Sequence, residues 1–82
     1  MSWNYRIIKT ITNGVFGTEH ISYAIHEVYY DKDGNPNACS QNAIAPHGED
    51  SVDSLKADFE LMKKAFEKPV LDMILFNSIK NI

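Results

Sequence analysis

The sequence predicts an α+β fold: a three-stranded antiparallel β-meander with one long amphipathic helix packed on one face. Three observations carry that expectation. Residues 3–12 and 20–30 are rich in β-branched and aromatic side chains that alternate with period two. Asn13-Gly14 and Asp31-Lys32-Asp33-Gly34 punctuate those runs with residues that accept positive φ. Downstream, Val52, Leu55, Phe59, Met62 and Phe66 step by three and four, the spacing of one helix face.

In the first strand, Trp3, Tyr5, Ile7 and Ile11 share one face, and Asn4, Arg6, Thr10 and Thr12 the other. Asn13-Gly14 turns the chain, either as a tight hairpin with a bulge at Gly17 or as a loop over residues 13–18. The second strand places Ile21, Tyr23, Ile25, Glu27 and Tyr29 on one face, with Ser22, Ala24, His26, Val28 and Tyr30 opposite. A weaker, polar edge strand is expected over 37–44.

Pro46-His47-Gly48 ends the sheet, and a helix over about 52–67 follows, with Ser51 as N-cap, or Asp50 as a near alternative, and Asp53 in its first turn. Lys56, Asp58, Glu60, Lys63 and Lys64 should point to solvent, with Lys56/Glu60 and Glu60/Lys64 at i,i+4 spacing. Pro69 stops this helix, and a short C-terminal helix is expected over 70–77. The apolar helix stripe covers one sheet face. The second face, with Ala24, Val28, Tyr30 and Ile8, must be covered by the C-terminal segment or by another chain.

The 82 residues make one domain, 1–82, with 44% hydrophobic and 23% charged content that suits a packed but thin core. A net charge of −3 and a pI near 5.4 lack the positive field that phosphate-backbone binding requires, so nucleic acid is not an expected partner. The start Met1-Ser2-Trp3-Asn4-Tyr5-Arg6 has no signal-peptide pattern, and Val70–Phe76 is too short to span a bilayer. One cysteine, Cys39, closes no disulfide within the chain. A soluble, cytoplasmic protein is expected, with no membrane partner.

Few residue patterns point to chemistry. His26 and Glu27 resemble an acid–base pair, but neighbours in a strand face opposite ways, so structural roles are expected, with Glu27 a cross-strand partner of Arg6 or Lys9. His20, His26, Cys39 and His47 lack the short spacing of a zinc site. Asp31-Lys32-Asp33-Gly34-Asn35 has its glycine at position four and Asn42 at position twelve, which suits a hairpin turn and not a calcium loop. There is no glycine-rich phosphate loop and no nucleophile elbow. The expectation is no catalytic residue, no metal and no cofactor.

The blocks Trp3-Asn4-Tyr5-Arg6-Ile7-Ile8 and Tyr23-Ala24-Ile25-His26-Glu27-Val28-Tyr29-Tyr30-Asp31, with Gly34, Pro36, Gly48-Glu49 and Glu67-Lys68-Pro69-Val70-Leu71-Asp72, resemble a family of small bacterial proteins of uncharacterised function. That resemblance implies no activity. Its third strand often carries tryptophan where this chain has Cys39-Ser40, and the tail from Met73 is extra. Gly48-Glu49-Asp50-Ser51 and Leu55 also resemble, over a shorter stretch, HicB-type antitoxins, which implies neutralisation of a partner protein.

The leading functional expectation is a non-enzymatic protein-interaction module, self-associating as a homodimer or binding another protein. Arg6, Tyr23, His26, Glu27, Tyr29 and Tyr30 are the candidate binding residues. The alternatives are a small-ligand binder or enzyme using His26 with Tyr30, or Glu27 with Tyr23 or Tyr29, and an antitoxin-type partner.

Overall fold

A computed structural model describes the backbone of residues 2–80 and the side chains of residues 2–76. The elements are β1 (Ser2–Asn13), β2 (Glu19–Tyr30), β3 (Pro36–Cys39), α1 (Val52–Lys63), β4 (Leu71–Asp72) and α2 (Met73–Lys80). They form an α+β fold on one four-stranded mixed sheet of order β3-β2-β1-β4. β1 and β2 pair antiparallel without a break from Ser2↔Tyr30 to Asn13↔Glu19. The connection is the loop alternative, a turn at Val15–Gly17 with Phe16 and Gly17 at positive φ, closed by the Gly14 N–H donating to the Thr18 carbonyl at 2.6 Å.

Two strand expectations need correction. The third strand is four residues long, not eight, and a register shift at Tyr29/Tyr30 bends its start. Past Cys39 the Ser40 side chain takes over, its Oγ accepting the Glu27 N–H at 3.2 Å. The backbone bonds β2 twice more, through the Ser40 N–H to the Glu27 carbonyl and the Ile44 N–H to the Ile25 carbonyl, both at 2.9 Å. The expected helix at 70–77 instead begins with a strand. Leu71 and Asp72 pair parallel to Ile8 and Lys9, making a fourth strand absent from the expectation. The Asp72 carboxylate then caps α2 by accepting the Ile74 N–H at 3.0 Å.

α2 answers the question of the second face. Phe76 lies against Ile8 and Val28, all three buried, with Tyr30, Cys39, Leu71 and Met73 around them. The chain therefore covers that face itself. On the other face α1 crosses the sheet with Met62 buried, and Ala65, in the 3-10 turn Lys64–Glu67 that ends the helix, is buried beside it. Ser51 is the N-cap, its Oγ accepting the Ser54 N–H.

The orientation of α1 departs from its amphipathic pattern. Asp58, expected in solvent, turns toward the sheet, and Val52, Leu55, Phe59 and Phe66 are exposed. At 100° per residue Asp58 lies about a quarter turn, and Met62 about an eighth of a turn, from the centre of the Val52, Leu55 and Phe59 stripe. The helix thus packs on the flank of its apolar face. The expected i,i+4 ion pairs are replaced by Glu60–Lys63 at 3.7 Å, the one ion pair among the described residues.

The loop before α1 depends on Gly48. A Cβ there would lie 2.5 Å from the Leu55 backbone nitrogen and 2.6 Å from its Cβ. Gly48→Ala should therefore destabilise the fold by about 1–3 kcal/mol in urea unfolding. Phe76→Ala should cost about 3–5 kcal/mol by the same measurement, a large share of the stability of a domain this small.

Candidate functional site

The sheet divides the six candidate residues into two sets of three. Tyr23, Glu27 and Tyr29 lie on the α1 side with Tyr5, while Arg6, His26 and Tyr30 lie on the α2 side. Glu27 is paired in register with Tyr5, so it reaches neither Arg6 nor Lys9, contrary to expectation.

On the α2 side, Arg6 stands opposite His26, and both are buried. Arg6 Nη1 donates to the Tyr30 hydroxyl at 3.0 Å, and Nη2 donates to the Pro69 carbonyl at 2.6 Å. Tyr30 donates its own hydroxyl proton to Asn4 Oδ1 at 2.7 Å. The buried Arg6 Nε has no hydrogen-bond partner among the described residues. His26 Nδ1 lies 3.0 Å from the Ser40 carbonyl, which can only accept, so Nδ1 carries the hydrogen. Ser40 Oγ, 3.3 Å from the same nitrogen, donates to the Asn42 carbonyl. These bonds tie strand to strand or strand to loop. His26 and Tyr30 share a face but are held apart in structural roles.

On the α1 side, Asp58 joins three segments. Its Oδ1 accepts the Tyr5 hydroxyl at 2.6 Å, and its Oδ2 accepts the His47 N–H at 2.8 Å. Those two bonds hold the Asp58 carboxyl below its ordinary range. Burial, with the Asp58 carboxylate beside it, pushes the Tyr5 phenol up to about 12. Tyr29 is also raised, by desolvation and by Glu27 beside it. Tyr23 is mostly exposed on the distal sheet.

The larger feature is apolar. Trp3, edge-on to Tyr5 at 5.2 Å, lines a cleft of about 330 Å³ with Leu61, Lys64 and Lys68. A separate groove of about 350 Å³ is lined by Pro46, Val52, Leu55, Lys56 and Phe59. Beyond these, every residue from Ile11 to Tyr23 is exposed, so the distal half of the β1–β2 ribbon has no layer of described residues over it. At its tip Phe16 is 100% exposed with φ of +68°, a left-handed conformation that costs a bulky residue on the order of 1 kcal/mol. The amphipathic periodicity of 52–66 located the helix stripe, but nothing in the sequence marked it as facing outward. Val15 and Phe16 between two glycines were an available signal for an exposed apolar tip.

Among the described residues no helix is long and apolar enough to cross a membrane, and no cluster of three metal-ligating side chains occurs. No family model, curated protein or solved structure matches the chain.

The titrations give a test of the Asp58 junction. A raised Tyr5 pKa means the neutral phenol is favoured in the fold, so its stabilisation is full below pH 10 and is lost as pH rises toward 12. The lowered Asp58 value works at the other end: its stabilisation is present above the ordinary carboxylate pKa and fades as pH falls through the depressed one. Tyr5→Phe should flatten the loss of stability between pH 10 and 12 in urea titrations. In Asp58→Asn, ultraviolet titration should find Tyr5 still above 10, because burial is the larger cause and remains.

Proposed function

We propose that this chain is a non-enzymatic protein-interaction module that self-associates through its α1 side. The observation that carries the reading is the outward-facing helix stripe: Val52 is 79% exposed and Phe59 49%, on a helix whose periodicity belongs to a buried face. Contiguous apolar surface of this kind marks interaction sites on small proteins.

The overall dimensions agree. A compact monomer of 9.3 kDa exposes about 5,000 Å², whereas this chain exposes 6124 Å². Its radius of gyration is 14.5 Å against roughly 12 Å for a compact chain of this length. The surplus, on the order of 1,000 Å², is comparable with the about 800 Å² that each partner buries in a standard interface. Supporting a non-enzymatic role, the candidate acid–base residues His26 and Glu27 are split across the sheet, and His26 is bonded to the Ser40 carbonyl. The two apolar depressions contain no carboxylate, histidine, serine or cysteine side chain among their lining residues.

Light scattering after size exclusion, over a concentration series, tests the reading. The expected mass is twice 9.3 kDa at micromolar concentration. Phe59→Glu should raise the dissociation constant by on the order of thirtyfold or more, as for a central apolar anchor. A wild-type chain that stays at 9.3 kDa throughout overturns the reading.

A further inference from the structure

Resting on that self-association, we propose an arm exchange: the hairpin tip of each copy seats Phe16 in the Pro46, Val52, Leu55 and Phe59 groove of a second copy. Three observations point to this pairing of surfaces. The ribbon beyond Lys9, where pairing to β4 ends, continues for four residues of β1 before the tip, a projection of about 13 Å. Its register is unbroken, so it has no hinge by which to fold back onto its own α1. A two-stranded ribbon with no covering layer is marginal in water, and an occupant that covers it removes that weakness.

The tip itself is built to insert. Phe16 and Val15 are exposed at 100% and 77%, and the backbone is held by Gly14 and Thr18 in a conformation that projects the ring. The groove is of opposite character to the charged outer surface of α1. It has apolar walls, and Lys56 at its rim. The only fixed charge between Thr10 and Ser22 is Glu19, at the base of the tip, which complements Lys56. A two-fold axis makes the contact reciprocal, so one arm and one groove per copy are both satisfied and the assembly closes at two.

The experiment uses the full chain and three variants. Phe16→Asp changes a side chain that is fully exposed in the monomer, and aspartate tolerates the left-handed backbone there better than phenylalanine, so its thermal unfolding as a dilute monomer should match or slightly exceed wild type. Its dimer dissociation constant should rise at least about tenfold. In parallel, Phe16→Cys and Leu55→Cys chains are mixed under mild oxidation, with each alone and wild type as controls for Cys39. The mixture should give a disulfide-linked dimer that neither variant gives alone. A dimer with wild-type affinity in Phe16→Asp overturns the arm exchange while leaving self-association standing. So does oxidation that links the Phe16→Cys chains only to one another and never to the Leu55→Cys chains. A monomeric wild type overturns both.

Discussion

Much of this structure turns on one carboxylate. Asp58 accepts from the Tyr5 hydroxyl on β1 and from the His47 N–H in the loop before α1, so helix, strand and loop meet at a single side chain. A charged acceptor makes each of these bonds stronger than its neutral counterpart, and each ties α1 to a segment distant in the chain. With Asp58 turned inward, Val52, Leu55 and Phe59 lie about a quarter turn away, toward solvent.

The opposite sheet face follows another rule. Its apolar centre, Ile8, Val28 and Phe76, is small, and a polar net around Arg6, Tyr30 and Asn4 completes it. The Arg6 guanidinium holds the Pro69 carbonyl, which fixes where the chain re-enters the sheet as β4. From there Asp72 caps α2 and Phe76 is delivered over Ile8. A basic side chain with no carboxylate partner among the described residues thus positions the segment that closes the core. The desolvation of its Nε, which has no partner among those residues, is borne by the rest of the net.

These two arrangements leave the chain with more apolar surface than its described elements cover. Among the described residues only five hydrophobic side chains are buried, which sets the thinness of the fold and the scale of what a partner would add. Self-association through the α1 side and the ribbon tip is the proposal that accounts for the stripe, the bare arm and the excess surface together.

The strands β1 and β2, the Ser51 cap, the end of the main helix before Pro69 and the α+β class were all legible in the sequence. They depend on local effects: period-two alternation, turn residues, a hydroxyl at a helix start and a ring that blocks the next turn. The candidate site was legible only as residue types. Alternation did place His26 and Glu27 on opposite faces, but it could not show that Arg6 would bond Tyr30 and Pro69, residues 24 and 63 positions away. β4 was missed because a two-residue parallel strand carries no periodicity of its own and exists only where β1 offers an open edge. The helix face was read only in part: Met62 is buried as its place in the stripe predicts, but hydrophobic spacing measures which side is apolar and could not show Asp58 turned inward to Tyr5 and His47. What the sequence by itself determined is the set of main elements, since each is selected by contacts within a few residues. Their mutual rotation, and hence which apolar surface stays uncovered, was decided only by tertiary hydrogen bonds between groups distant in the chain.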